Sequence, residues 1–355
     1  MFAYMKTAKA RLIRFLEGYF ESLGTDYGNV NSWGKDTLGR LLDYTCGGKM
    51  IRGGLVGFAH DMYAGGSPDA AVAAGAAMEL FQSAFLIHDD IMDRDEVRRG
   101  KPAMHAGYAG LAKEAGLRGA EHLGEALGVC CGDLAFFIAF DILSALGIDG
   151  GAKARLLCRC CRELEYVGLA QMADVWQGAS PGGATREEIL ALYRCKTGRY
   201  TFSLPFAAGL ILAGQDEDLI NRFVLLGEKM GILFQIKDDE LGLWADEKEL
   251  GKPIGSDISE NKKTLYREIL FARAGGAEGE KLKTLFGAEN LTRGDIAFVR
   301  AAMESLGVRA EVAKTENSFY LETLAMIDAL PASPSSAPWI DKLRQLLDYN
   351  MSRGS

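Results

Sequence analysis

The chain has no run of 18 uninterrupted apolar residues among its 355, so nothing in the sequence reads as spanning a membrane. Its opening, MFAYMKTAKARLIRFLEGYF, lacks the basic-flanked apolar segment of a secretory signal; it is amphipathic and charged throughout. There is no excess of positive charge either. Lys and Arg number 40 against 48 Asp and Glu, a net charge of -8, which argues against a partner bound through a nucleic-acid backbone. Smaller anions of diphosphate size remain open, because a local cluster or a bound metal inverts the sign nearby. β-Branched alternation is nowhere sustained over a strand length, and no fixed-period repeat is present. Seven cysteines include Cys130–Cys131 and Cys160–Cys161 with Cys158 nearby. An odd count without a secretory signal favours reduced thiols and a cytoplasmic location, and the spacing matches no C-x2-C zinc ribbon.

What remains is apolar and helical. A content of 48% hydrophobic and 25% charged residues suits a globular chain with a large core. Helical periodicity predicts helices over 5–23, 36–45, 54–64, 70–93, 119–146, 152–178, 186–195, 198–214, 216–243, 262–274, 278–286, 292–307, 309–329 and 339–350. Residues 119–146 are nearly all apolar and read as buried on every side. Polar loops are expected at 24–35, 94–118 and 244–261, and PASPSSAP (331–338) reads as a short linker to the last helix. The expected fold class is all-α, one large bundle forming a single domain over 1–355.

The stretch MELFQSAFLIHDDIMDRDEVRRGKPAMH (78–105) carries the first chemical signal. On a helix Met78, Gln82, Phe85, Asp89 and Asp93 fall in a stripe roughly 80° wide, so an apolar wall ends in carboxylates. Like charges at i and i+4 cost a helix roughly 0.2–0.5 kcal/mol, an arrangement that makes sense when a cation is held there. FQIKDDELG (234–242) repeats the pattern, with Gln235, Asp238 and Asp239 on one face. Magnesium takes a few carboxylates, keeps waters and completes its shell with substrate phosphates, which points to a phosphate-bearing substrate. Separate basic groups supply the complement: Lys49 and Arg52 in GGKMIRG (47–53), Arg98–Arg99, Lys196–Thr197, and Lys252, Lys262 and Lys263 around GKPIGSDISENKKT (251–264). Each alone is open to a bland reading as charge balance or a solvated loop. Together they describe a pocket for two anionic substrates, one bound through metal.

These six ordered motifs closely resemble the trans-polyprenyl diphosphate synthases, most densely from Gly47 to about Lys263. LIHDDIMD with RRGKPAMH is similar to that family's first aspartate-rich motif, FQIKDDELG with GKPIGSDI to its second, and GGKMIRG to its diphosphate-binding segment. The resemblance implies an all-α isoprenoid-synthase bundle with a central active-site cavity, usually a homodimer, which joins an allylic diphosphate to isopentenyl diphosphate. It implies Mg²⁺, three ions per active site with substrate bound, on Asp89, Asp93 and Asp238, with Asp90 and Asp239 in support. Arg98, Lys196 and Lys252 are implied to neutralise the allylic diphosphate, and Gly48, Lys49, Arg52, Gln82 and Arg99 to hold isopentenyl diphosphate. Thr197 and Gln235 are implied to line the path of the cation, and Lys262 to help close a lid. Gly242 departs from the family pattern, in which a third Asp is common at that place.

Product length is expected to depend on what lies below the acids: Phe85 one turn beneath Asp89, Phe81 two turns beneath, and the small Ala84 beside Phe85. Phe136, Phe137 and Phe140 are candidates for a deeper floor, against the plain reading of all these rings as core. The set is read as a short-chain enzyme, with C20 favoured over C15 because Ala84 leaves room. A class I terpene cyclase shares the first motif but needs a Ser/Thr and a Glu in its second. A non-catalytic regulatory subunit is expected to have lost one acidic motif.

Overall fold

The computed structural model describes residues 1–63, 66–244, 255–288, 290–331 and 333–352. Contacts divide the chain into two compact units, Met1–Cys160 with Leu204–Asn221, and Cys161–Ser203 with Arg222–Ser355. Nearly all of the described backbone is helical.

In the first unit, α1 (Phe2–Val30), α2 (Trp33–Cys46), α3 (Ile51–Tyr63), α4 (Pro68–Met92), α5 (Met104–Glu114), α6 (Ala120–Ser144) and α9 (Leu204–Leu212) pack mainly through α4 against α6, α5 against α6, and α3 against α4 and α9. The start of α4 is written in its sequence. The Ser67 hydroxyl accepts the Ala70 N–H, Pro68 occupies the first turn, and Asp69 faces the positive end of the dipole. Its body, rich in Ala, Gly and Leu, is almost wholly buried. Close packing of α3 on α4 needs glycine: a side chain on Gly53 would meet the Gly75 carbonyl oxygen at 2.7 Å.

The second unit is built from the end of α7 (Gly150–Ala179), α8 (Arg186–Leu192), a π-helix over Tyr193–Ser203, α10 (Glu217–Trp244), and the helices α11 (Ser256–Ser259), α12 (Leu265–Arg273), α13 (Gly276–Leu285), α14 (Arg293–Ser305), α15 (Val308–Asp328) and α16 (Ala337–Ser352). Reciprocal hydrogen bonds between Thr185 and Glu188 open α8, and the same box from Thr292 and Asp295 opens α14. Its core gathers Ile236, Leu243, Ile258, Leu265, Leu270 and Val312, among others.

Four expectations are corrected. The 24–35 segment is not a loop: α1 continues to Val30, because Gly24 sits on an open face and Tyr27 packs its carbonyl against Gly34. The 94–118 segment holds a two-residue antiparallel hairpin, β1 (Val97–Arg98) and β2 (Lys101–Pro102), followed by α5. Helix α6 is not buried on all sides, since Val129 is 44% and Phe137 68% exposed. Residues 193–203, divided in the sequence reading between two helices, are one π-helix. Helices α4 and α6 are long and apolar enough to cross a membrane; the apolar window of α4 is 78% buried within the protein, as a core helix is, and that of α6 44%.

Candidate active site

In the first unit the aspartates at the end of α4 have two distinct roles. Asp89 and Asp93 are joined by the last helical hydrogen bond, Asp93 N–H to the Asp89 carbonyl at 2.8 Å, and both are half-buried. Asp90 points inward and is fully buried. It accepts from Arg98 Nε at 2.8 Å and from Arg98 Nη2, and from the Tyr44 hydroxyl at 3.0 Å. Burial pushes the Asp90 carboxyl above its usual range, against the opposing pull of Arg98. Burial also works against the Arg98 charge, but the Asp90 carboxylate outweighs it and Arg98 is held more firmly cationic than usual. Asp90 therefore anchors Arg98 on the hairpin, where Asp95 Oδ2 also takes Nη2 at 3.2 Å.

The turn of that hairpin uses Arg99 at φ 55° and Gly100 at φ 72°, which aims Arg99 back at the end of α2. Arg99 Nη1 donates to the Tyr44 carbonyl at 2.7 Å and lies against Gly48, where a side chain would strike Nη2 at 2.9 Å. Tyr44 thus ties the acidic set to the basic one, a link the sequence reading missed. Lys49 is exposed and Arg52 half-buried at the start of α3. Gln82, one turn before Phe85, keeps a buried Oε1 that finds no hydrogen-bond partner among the described residues.

Below the acids, rings from α4 and α6 interlock. Phe85 meets Phe136 edge-on at 5.0 Å, and Phe81 meets Phe140 at 5.0 Å and Phe136 at 6.2 Å. Phe81 and Ala84 are buried and Phe85 partly exposed, whereas Phe137 turns outward and takes no part in the floor. His88 Nε2 donates to the Val129 carbonyl at 3.2 Å, and the ring lies against Gly132. That is a packing role.

The second unit carries its own polar chain. Thr197 Oγ1 donates to Gln235 Oε1 at 2.6 Å, and Gln235 Nε2 donates to Asp239 Oδ1 at 2.8 Å. The Tyr193 hydroxyl donates to Asp239 and itself accepts the Leu265 N–H at 3.1 Å. Asp239 is buried, and burial and then the nearby Asp257 charge push its carboxyl well above the usual range. Its neighbour Asp238 is half-buried, as Asp89 and Asp93 are. The two pairs share one design, an inward acid that ties down structure beside a more accessible one.

The contact of the π-helix with α10 sets this geometry. A side chain on Gly231 would lie 2.0 Å from the Gly198 Cα, so the two backbones touch and Thr197 meets Gln235 one turn along. Arg199 fixes the next turn, bidentate to Glu163 at 2.8 Å and 2.8 Å and bonded to Glu228. π-Helical turns are frequent at functional sites, and this one carries Lys196 and Thr197. Lys196 donates to Asp174 at 2.5 Å and Lys262 to the same oxygen at 3.2 Å. Burial disfavours charge on Asp174, but Lys196 and Lys262 prevail and hold its carboxyl below the usual range.

Lys262 is placed by its neighbours: Asn261, at φ 53°, donates to the Gly178 and Ser180 carbonyls, and Lys263 donates to Ser180. The bare Gly242 has a physical reason as well. Asp257 Oδ2 lies 2.7 Å from where its Cβ would be. Lys252 lies outside the described residues.

Asp174, Tyr193 and Tyr44 were not singled out from the sequence. Only Asp174 left a trace there, as the one charge between Tyr166 and Trp176. Among the described residues no three of His, Cys, Asp or Glu gather into a ready-made metal cage. The accessible carboxylates of Asp89, Asp93 and Asp238 fit instead a hard divalent ion that keeps waters and takes further ligands from a phosphate. None of the seven cysteines is in a disulfide.

The chain's similarities agree with this chemistry. The family model for polyprenyl synthetase matches residues 35–303. A geranylgeranyl diphosphate synthase of Saccharolobus solfataricus is 30% identical over 314 residues, 87% of this chain and 88% of that protein. A (2E,6E)-farnesyl diphosphate synthase of Mycobacterium bovis is 31% identical over 281 residues, 77% of this chain and 71% of that protein. The crystal structure of a geranylgeranyl pyrophosphate synthase from Corynebacterium glutamicum, complexed with isoprenyl diphosphate and magnesium, superposes with a TM-score of 0.91 at 25% identity, covering 99% of this chain and 98% of that one. The matched span takes in every acidic and basic residue described above, and the chain belongs to the polyprenyl synthetase family.

Proposed function

We propose that the protein is a short-chain trans-prenyltransferase. It condenses isopentenyl diphosphate with an allylic diphosphate (dimethylallyl, geranyl or farnesyl) and releases a linear prenyl diphosphate, C20 in preference to C15. The observation that carries the reading is the division of labour in each acidic pair. Asp90 and Asp239 are buried in structural networks, while Asp89, Asp93 and Asp238 stay accessible, at the upper end of a ladder of phenyl rings in the case of α4. The names of the relatives support the substrate class, and geranylgeranyl synthases among them support C20.

Asp89, Asp93 and Asp238 are assigned to hold Mg²⁺, three ions with substrate bound. Bound Mg²⁺ draws charge from the leaving diphosphate and so eases cleavage of the allylic carbon–oxygen bond. Arg98, positioned by Asp90, and Lys196 and Lys252 add fixed positive charge to the allylic diphosphate. Lys49, Arg52, Gln82 and Arg99, at the bare backbone of Gly48, hold isopentenyl diphosphate. Lys196 and Lys262 reach the substrate by exchanging the Asp174 carboxylate for phosphate oxygens, which gives Lys262 its part in closing the site. Thr197 and Gln235 are assigned to line the path of the cation, and Phe81 and Phe85 to border the growing chain. The departing diphosphate is assigned to take the proton, so that no side-chain base is required.

A homodimer in the cytoplasm is the proposed assembly. Two outward apolar faces support it: Val129 and Phe137 on α6 in the first unit, and Leu169, Met172 and Trp176 on α7 in the second.

Incubation with labelled isopentenyl diphosphate, an allylic starter and Mg²⁺ tests the activity, with products resolved by chromatography. A linear prenyl diphosphate is expected. A cyclic hydrocarbon points to a cyclase and no turnover to a regulatory subunit, and either result overturns the reading.

A further inference from the structure

The segment 47–53 is held from two sides by side chains that the proposed chemistry does not use. Met50 within it is buried and adopts φ 52°, a left-handed conformation that a non-glycine residue keeps only when its surroundings impose it. Two neighbouring helices do the imposing.

From α4 comes Glu79. The contact of Gly53 with Gly75 brings the two backbones so close that Glu79, one turn after Gly75 on the same face, reaches the first turn of α3. Its Oε1 accepts the Gly53 N–H at 2.7 Å, and the Arg52 N–H also bonds to it. Glu79 is 5% exposed, a buried carboxylate against the positive end of a helix. It takes the backbone N–H groups that an incoming phosphate would otherwise use. Recognition of the anion is thereby left to Lys49, Arg52 and Arg99, and the Arg52 and Arg99 charges lie within reach of the same carboxylate.

From α1 comes Lys9, outside the span matched by the family model. Its Nζ donates to the Gly48 carbonyl at 2.7 Å. Met5, Lys9 and Leu12 form one stripe at i, i+4 and i+7. Side chains on Gly54 and Gly53 would meet Met5 at 2.5 Å and Leu12 at 2.7 Å, so the stripe lies directly along this segment.

We propose that Glu79 and Lys9 are positioning residues for the 47–53 segment, fixing it at the Gly53 N–H and at the Gly48 carbonyl in the form that binds isopentenyl diphosphate. The inference rests on the assignment of that substrate to Lys49, Arg52 and Arg99. Neither residue touches substrate; each acts through the backbone that carries Lys49 and Arg52.

The test is steady-state kinetics on the full-length enzyme with Mg²⁺, varying each substrate while the other saturates, for the wild type and for Glu79→Gln, Lys9→Met and Lys9→Arg. The KM for isopentenyl diphosphate is expected to rise about 10-fold in Glu79→Gln and about 5-fold in Lys9→Met, with kcat and the allylic KM within about 2-fold of wild type. Lys9→Arg restores the donor and is expected to return the KM to near wild type. A KM for isopentenyl diphosphate unchanged in both variants, or equal rises for both substrates, overturns the proposal. Thermal unfolding identifies a variant that fails to fold; if Glu79→Gln does so, the Lys9→Met and Lys9→Arg pair decides alone. A wild-type enzyme that condenses neither substrate overturns the assigned reaction and this inference with it.

Discussion

Replacing Gly231 by Ala tests the contact that sets the second unit's polar chain. The new methyl would lie 2.0 Å from the Gly198 Cα, 2.9 Å from its N and 3.1 Å from its carbonyl carbon, all backbone atoms with no rotamer to change. Ordinary van der Waals contact begins at 3.4 Å, so the π-helix and α10 must part by about 1.4 Å locally. Overpacking of this kind costs roughly 1–3 kcal/mol. The same movement stretches the 2.6 Å bond between Thr197 and Gln235 beyond hydrogen-bond range and adds roughly 0.5–1.5 kcal/mol. A total of about 1.5–4.5 kcal/mol is expected, read as a lower denaturation midpoint at unchanged slope. Activity should fall at least 10-fold even where the variant is folded, because Lys196 and Thr197 sit on the displaced turn. Gly18→Ala is the control: it lies within α1 with nothing within 4 Å of its would-be Cβ, and is expected to gain about 0.5–1 kcal/mol from helix propensity. A Gly231→Ala protein with wild-type stability and turnover would refute the reasoning, since the close approach would then have no consequence.

Phe85→Ala should lengthen the main product by removing the upper ring of the ladder, with Phe81 still braced by Phe136 and Phe140 and limiting the gain to about one isoprene unit; an unchanged product profile shows that Phe85 is not the stop. Asp174 has a folded pKa below that of an unfolded aspartate, so its pairing contributes stability above the unfolded value near 3.9 and loses it as pH falls through the lower folded value. Asp174→Asn should therefore be less stable than wild type at pH 7, with the gap closing below about pH 4; a gap that does not depend on pH contradicts the ion-pair account. On the proposed homodimer, Phe137→Glu should lower the mass measured by light scattering from dimer to monomer, and a mass unchanged from wild type would remove α6 from the proposed interface.

Much of the chemistry was legible before any coordinates. A period near 3.6 and the cap signals placed most helices within a few residues, because an apolar stripe must be buried wherever it lies. Gly and Asn in 24–35 lower helix propensity, which tertiary packing overrides: Tyr27 packs against Gly34 and α1 runs on to Val30. The burial of α6 was misread since composition states how apolar a helix is, not whether another chain or solvent meets its outer face. Among site residues, the acids announced themselves by repetition at helix ends. Tyr44 and Tyr193 could not, because a tyrosine in an amphipathic helix looks like any core aromatic until its hydroxyl has a partner.

Sequence alone therefore determined the class of fold, the two acidic pairs, the scattered basic groups and the wall of rings on α4, all of which follow from spacing along one helix or residue type within one motif. Tertiary structure decided which carboxylate of each pair is spent on architecture. Asp90 and Asp89 differ by about 100° of helix rotation, and only the positions of Tyr44 and Arg98, from elsewhere in the chain, turn that rotation into burial for one and access for the other. Likewise Asp174 became a partner of Lys196 and Lys262, and Glu79 the cap of α3, through contacts between segments 22, 88 and 26 residues apart, whose closeness no local pattern encodes.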